Sequence, residues 1–475
     1  MNFLWFGRKV TLSQQLIDFS GKYDIIEISD FRKESTPNMK NFESPVSTML
    51  DFIEKGVSPY HVIEQLKKML SANGYTELHE SEEWNLARGG RYYVSRNLSS
   101  IIAFRLPECE PVGFMMAASH SDSPTFKIKD QTEMTAPAYV RLNVERYGGM
   151  ICSTWLDRPL SVAGKIMVKD GNRLYAKTVN VERDLLMIPN VAIHMNRNAN
   201  DGFAFKANVD MVPLLGDESA KGSFRKIIAD AADVAEENIV STDLFLVNRT
   251  RGTVWGANLE YVSAPRLDDL ECAYTTMRGF LDASPSDSIP MCAVLDNEEV
   301  GSTTKQGANS TFMTDVLDRI AEALNISRSR FCRMLASSFM VSADNAHAVH
   351  PNHPEFSDPT NKVYMNRGIV IKYNASQKYT TDSVSDAIFT RICDGAGVAT
   401  QRYTNRADMP GGSTLGNIAN THVSVNTVDI GLAQLAMHSS YETAGVADVE
   451  SMIRAMTAFY ASSIRRHSDG EYELI

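Results

Sequence analysis

The run Ala293-Val-Leu-Asp296-Asn-Glu298-Glu299-Val-Gly301-Ser302 constrains this chain more than any other stretch. It opens as a continuous apolar segment, the mark of a strand buried on both faces of a parallel sheet. It then breaks, within one residue, into carboxylates and a glycine. In open α/β sheets chemistry collects just beyond the carboxyl ends of the strands. Successive side chains on an extended backbone point opposite ways, so one glutamate can hold a cation while the other faces a reacting centre. That arrangement suits a hydrolase if further metal ligands exist. Taken alone, it equally describes a solvated Glu-Glu pair opening a loop.

The same break recurs along the chain. Gly113-Phe-Met-Met-Ala-Ala118 runs into Ser119-His120-Ser121-Asp122, and polar clusters also stand at Arg266-Leu-Asp268-Asp269, Ser342-Ala-Asp344-Asn-Ala-His347 and Met437-His438-Ser439. Imidazole and carboxylate are the donors that zinc, cobalt and manganese accept, and catalytic zinc sites keep one position open for water. A carboxylate shared by two cations about 3.5–4 Å apart is the usual two-metal hydrolytic design. Within His120-Ser-Asp122, the Asp122 carboxylate can accept the ring N–H of His120 and fix its tautomer. Each cluster has a plainer reading: a hydrogen-bonded structural histidine, Asp268 or Asp269 as a helix N-cap, or Asp344 as the end of a strand. Their joint placement after apolar strands favours a metal site.

At 475 residues the chain exceeds what one hydrophobic core usually holds, so two domains are expected. Residues 1–44 are poorly patterned. Helices are expected near Val46–Lys55, from Ser58 to Gly74 with Ser58 as N-cap, and near Asp269–Leu281, Thr311–Leu324, Thr381–Asp394 and Val446–Ile464. Strands are expected near Arg91–Ser95, Ser100–Arg105, Met291–Leu295, Ser337–Val341, Gly368–Tyr373 and Val398–Tyr403. Between them, short alternating segments (Tyr139–Glu145, Val162–Lys169, Arg173–Thr178, Leu244–Asn248) and one helix near Phe224–Glu236 read as a β-rich insertion. The expected layout is an α/β domain formed by 1–127 and 257–475, interrupted by a unit at 128–256.

With Lys+Arg 47 against Asp+Glu 58 the net charge is -11, which disfavours nucleic-acid and anionic-membrane partners. No apolar run reaches membrane-spanning length, and Phe3-Leu-Trp-Phe6 is too short for an export signal. The six cysteines lack CxxC spacing and read as reduced residues of a cytoplasmic protein. No P-loop or GxGxxG fingerprint is present.

Seven motifs carry a resemblance. They are Ser119-His-Ser-Asp-Ser-Pro124, Thr154-Trp-Leu-Asp-Arg-Pro-Leu160, Pro265-Arg-Leu-Asp268, Asp296-Asn-Glu-Glu-Val-Gly-Ser302, Ser342-Ala-Asp-Asn-Ala-His-Ala-Val-His-Pro351, Gly412-Ser-Thr414 and Met437-His438. In this order the chain resembles the M18 family of metallo-aminopeptidases, the aspartyl aminopeptidase and aminopeptidase I group. The resemblance implies a zinc-peptidase α/β/α sandwich with an inserted β-rich dimerisation domain, assembled as a homo-oligomer, with dimers building a tetrahedral dodecamer. It implies two divalent metal ions per subunit, zinc first, with cobalt or manganese also suited. Asp268 would bridge them, His120 and Asp344 would complete one site, and Glu299 and His438 the other. Glu298 would be the general base, acting on a peptide substrate with a free N-terminus. His194 would reach into a neighbouring subunit's active site, His347 would stand beside the substrate pocket, and Lys372 would lie near an acidic substrate side chain. Pro159 and Gly411 depart from the aspartyl pattern, which leaves Asp/Glu and neutral N-terminal preferences both open. A carboxypeptidase or deacylase using the same chemistry would need a cationic clamp, typically Arg, for the substrate carboxylate. A non-catalytic, peptidase-derived scaffold would be signalled by loss of a ligand or of Glu298, and none is missing.

Overall fold

Four strands form the centre of a nine-stranded sheet in the computed structural model, which describes residues 44–475. Ile289–Leu295, Phe114–His120, Phe339–Ala343 and Asn426–Gly431 lie side by side in that order, all parallel. Ser100–Arg105, Arg91–Arg96 and Thr76–Leu78 extend the sheet on one side, and Ile369–Tyr373 and Thr400–Thr404 on the other. The register sets Leu295 opposite His120, and Ser342 opposite both Ala118 and Asp429. The polar residues that follow these strands therefore emerge at one edge.

Both faces of this sheet are covered, so its strands need no polar side. Met115, Ala117, Cys292, Val294, Phe339 and Val341 pack in one core with the helices Pro45–Lys55, Pro59–Ala72, Leu267–Asp282, Ser383–Ala396 and Val446–Ala461. The intervening residues Phe114, Met116, Ala118, Met291, Ala293, Leu295 and Met340 pack with Phe312–Ala323 and Arg328–Ala336 on the other face. The fold is an α/β/α sandwich, as expected.

A second, antiparallel sheet is built from the strands Thr125–Ala136, Tyr139–Tyr147, Leu160–Asp170, Arg173–Asn180, Leu214–Asp217 and Ile239–Asn248. Its apolar face packs with the helix Phe224–Ala232 around Phe126, Trp155 and Leu244. A smaller sheet brings Thr253–Trp255 and Tyr261–Ala264 together with Glu442–Gly445, Ala433–Leu435 and Ala346–His347.

Several boundaries differ from the sequence reading. The helix expected to reach Glu236 ends at Ala232, because Asp233 turns left-handed (φ 51°) and its N–H closes back on Ala229 and Asp230. The strand Ile239–Asn248 starts well before Leu244. Ser58 precedes its helix without capping it; its hydroxyl pairs with His61 Nδ1 at 2.8 Å instead. Among the described residues no helix is long and apolar enough to cross a membrane. The expectations placed on residues 1–43, including the export-signal reading at Phe3–Phe6, lie outside the described residues.

Candidate metal centre

The strand Ile289–Leu295 does not continue extended through its two glutamates, as the sequence reading assumed. Asn297 turns left-handed (φ 64°), Glu298–Val300 form a 3₁₀ turn, and Gly301 (φ 97°) closes it. The turn aims the backbone N–H groups of Glu298 and Glu299 at the buried Asp122 carboxylate, each at 3.1 Å. Asp122 also accepts the Tyr147 hydroxyl at 2.7 Å. Its carboxylate is thus occupied by the turn, and its backbone carbonyl meets His120 Nδ1 at 3.0 Å, with Oδ1 farther away at 3.5 Å. The expected tautomer-fixing contact is therefore made chiefly by the main chain. It leaves Nε2 of His120 facing the opposite way, toward Asp268.

Asp268 stands at the mouth of the helix Leu267–Asp282, where the backbone departs from helical geometry (φ -80°, ψ 108°). Its carboxylate lies between two imidazoles, with Oδ1 3.6 Å from His120 Nε2 and Oδ2 3.3 Å from His438 Nε2. His438 Nε2 is 3.5 Å from Glu299 Oε2. Asp344, which follows the strand Phe339–Ala343, joins His120, Asp268 and Asp269 in a second cluster whose donor atoms all lie within 4.8 Å of one another. Glu298 and Glu299 form a third such group with His120. The five expected ligands and the expected base therefore converge.

The electrostatics are those of an over-supplied anionic site. Burial pushes the carboxyls of Glu298, to about 8, and of Glu299 and Asp344 upward, with Lys372 opposing the rise at Asp344. Burial also opposes the charged form of Asp268, but the imidazoles of His120 and His438 beside it hold that carboxyl below its ordinary range. His438 is pushed up to about 9, since the Asp268 carboxylate outweighs the cost of burial. Asp268 Oδ1, Asp269 Oδ1 and Glu299 Oε1 are buried without a hydrogen-bond partner. Buried polar atoms are rarely left so. Hard divalent cations fit this donor set: they would satisfy the orphaned oxygens and compensate the crowded carboxylates.

These side chains open onto a cavity of about 180 Å³ that His347, Lys372, Tyr379, Tyr403, Ser413 and Thr414 also line. Lys372, near the end of the strand Ile369–Tyr373, is buried and not a solvated charge at the sheet's edge. Its ammonium donates to the Asp344 carbonyl at 2.7 Å and stands 3.6 Å from the Asp344 carboxylate. His194 is exposed and does not line this cavity.

Sequence reasoning assigned no functional role to several supporting residues, Asp269 standing there only as a candidate helix N-cap. Glu442, fully buried, accepts the N–H of Asp268 at 3.0 Å and that of His438 at 2.7 Å, so one carboxylate fixes two candidate ligands. Its only signal in the chain is a position four residues after His438. Asp269 accepts the His120 N–H at 3.0 Å. Asn345 donates to Glu271 at 3.1 Å and to Gln434 at 2.8 Å behind Asp344. Asp429 accepts the hydroxyls of Thr380 and Thr414, each at 2.6 Å, and so ties the cavity wall to the strand Asn426–Gly431.

The aminopeptidase I zinc metalloprotease (M18) family model matches residues 52–460. A probable M18 family aminopeptidase 2 of Clostridium novyi (strain NT) is 44% identical over 431 residues, covering 89% of this chain and 100% of the relative. Among solved structures, a chain of the Ape4 and Nbr1 complex is 33% identical with a TM-score of 0.84, covering 88% of this chain and 85% of its own. The S. cerevisiae mApe1 dodecamer is 26% identical with a TM-score of 0.77, over 88% and 97% of the two chains. The chain belongs to the M18 family and is a metallo-aminopeptidase.

Proposed function

We propose that the chain works as a dinuclear aminopeptidase in which His120 and Asp344 hold one divalent cation, Glu299 and His438 hold a second, and Asp268 is shared. The observation that carries this reading is the Asp268 carboxylate, set between the Nε2 atoms of two histidines with one oxygen lacking any partner. Zinc is the first candidate, and cobalt and manganese suit the same donors. When bound, such ions supply Lewis acidity, acidifying water and polarising the scissile carbonyl.

The protein groups do the rest. Glu298 projects from a turn held by Asp122 and accepts the proton of the attacking water, then returns it to the leaving amine. Burial strengthens the hold of this carboxyl on that proton. Lys372, Tyr379, Tyr403 and Ser413 line the space offered to the N-terminal side chain, with His347 at its side. Because Lys372 already faces Asp344, its charge is partly met before substrate arrives. A panel of aminoacyl-p-nitroanilides reads the outcome: fast Asp and Glu cleavage that metal-saturated Lys372→Met loses selectively, keeping its Leu cleavage, assigns the ammonium to an acidic side chain, and fast Leu cleavage in the wild type assigns a neutral preference.

The segment carrying His194 also exposes Val191, Ile193, Met195 and Val209, an apolar stretch suited to a second copy of the chain. We assign to it the contact that delivers His194 to a neighbouring subunit, in an assembly like the mApe1 dodecamer. The division into a peptidase unit (1–127 and 257–475) and an inserted dimerisation unit (128–256) is proposed with it, supported by the separate six-stranded sheet. A cytoplasmic location is proposed on the six free cysteines.

Glu298→Gln tests the mechanism. The variant is expected to retain its metals and lose most turnover; wild-type activity in metal-loaded Glu298→Gln removes the base assignment.

A further inference from the structure

Tyr147 ends the strand Tyr139–Tyr147 of the six-stranded sheet, yet its phenol reaches the turn that follows a strand of the nine-stranded one. The hydroxyl donates to Asp122 Oδ2 at 2.7 Å and accepts from Asn297 Nδ2 at 2.8 Å. Asn297 is the left-handed residue that starts the Glu298–Val300 turn, and its Oδ1 is taken by Thr304 (2.7 Å) and Gln306 (2.8 Å). Asp122 holds the backbone N–H groups of both glutamates. One hydroxyl thus joins the residue that shapes the turn to the residue that anchors it. The ring is held independently, edge-to-face against Phe245 with centroids 5.4 Å apart.

The chain beyond Tyr147 continues along the same site. Gly148 (φ 77°) passes so close to Glu299 that a Cβ there would meet the Glu299 Cβ at 3.2 Å. Ile151 then donates its N–H to the His438 carbonyl at 3.0 Å. The exit of this strand is therefore a strap from the second sheet laid against the glutamate turn and His438.

We infer that Tyr147 is a positioning residue for peptide hydrolysis: its hydroxyl fixes Asn297 and Asp122 in one arrangement and thereby sets where the Glu298 carboxylate stands. The inference rests on Glu298 being the base. The hydroxyl's two bonds go to residues of the turn and its anchor, while the ring's packing serves the fold. Removing the hydroxyl alone separates the two roles.

Tyr147→Phe in the full-length, metal-loaded enzyme keeps the ring and deletes the hydroxyl. The expected result is a fall in kcat of about 10–100-fold, the range for residues that orient an active group from behind. KM, metal content and Tm are expected to stay near wild type, the pattern of an interaction needed only in the transition state. Phe245→Leu, which leaves the hydroxyl in place, is expected to retain kcat. Asn297→Ala is expected to show the same kcat-selective loss, and combining it with Tyr147→Phe to cost less than the product of the two. Wild-type kcat in Tyr147→Phe overturns the inference. So does a kcat loss explained by lost metal, or losses that multiply in the double variant. If Tyr147→Phe does not fold, wild-type kcat in Asn297→Ala overturns it on its own. An active Glu298→Gln defeats the base reading, whereas an inactive Glu298→Gln beside a fully active Tyr147→Phe defeats only the positioning role.

Discussion

Replacing Glu442 by glutamine isolates the support beneath the metal centre. The Glu442 carboxylate, 1% exposed, accepts the N–H of Asp268 through Oε2 (3.0 Å) and that of His438 through Oε1 (2.7 Å). Glutamine keeps the shape but turns one acceptor into an NH₂ donor, so one backbone N–H faces another donor in a buried place. Leaving a buried N–H without its acceptor costs about 1–3 kcal/mol. At about 1.4 kcal/mol per decade, losing one such acceptor from the metal-loaded state costs roughly 10–100-fold in metal affinity. Metal-buffered titrations of the apoprotein, followed by activity and by tryptophan fluorescence, measure the shift. At saturating metal most of the kcat is expected to return, because Glu442 does not line the cavity where Glu298 stands. Unchanged affinity in Glu442→Gln would refute the idea that this carboxylate sets the two ligands.

Lys372→Met removes the cation that opposes the burial-driven rise of the Asp344 carboxyl, so that carboxyl should stay protonated to higher pH and the pH for half metal loading should move up. Equilibrium dialysis at a series of pH values checks the direction. His438, raised to about 9 by Asp268, has a folded-state value above its unfolded one. In the apoprotein its charged form should stabilise the fold fully below about 6.5 and be lost as pH rises through about 9. Metal must displace that proton, so calorimetry in buffers of different ionisation enthalpy should register proton release on metal binding near neutral pH. Phe280→Ala, at a fully buried ring packed on Tyr75 (5.5 Å) and Tyr460 (5.3 Å), should destabilise by about 3–5 kcal/mol in denaturant titrations while leaving KM unchanged. Mixing His194→Ala with Glu298→Gln subunits should restore activity that neither homo-oligomer shows, and a lack of rescue after subunit exchange would count against His194 acting across subunits.

The sequence displayed what depends on local pattern. Runs such as Phe114–Ala118 and Met291–Leu295 are apolar at every position, so burial on two faces and the polar break after them were both readable. The strand Asn426–Gly431 escaped notice because Asp429 sits within it; that carboxylate is tolerated inside the sheet only through hydroxyl and backbone donors from distant loops. The helix Arg328–Ala336 was missed for a related reason, since three arginines in nine residues leave only Phe331 and Met334 buried. The 3₁₀ turn at Glu298 was hidden because its causes are the left-handed Asn297 and a carboxylate at Asp122, which only the folded chain brings close. Tyr147 acts through partners distant in the sequence, Glu442 through the distant Asp268 and through His438 four residues before it, and no spacing rule announces either.

The six-stranded sheet enters the chain between two neighbours of the central one. Phe114–His120 and Ile289–Leu295 are adjacent in space, although more than a hundred and sixty residues separate them. Yet the first and last strands of the intervening sheet, Thr125–Ala136 and Ile239–Asn248, are themselves paired, with Lys127 opposite Phe245. Once that pairing forms, an excursion of over a hundred residues shrinks, for the remaining chain, to a short loop whose closure entropy has already been met. Early closure of this clasp would leave chiefly the segment from Arg249 to Ser288 between the two central strands, shortening the slow search that a parallel sheet imposes. The order of events in folding is then written into where the second sheet was placed.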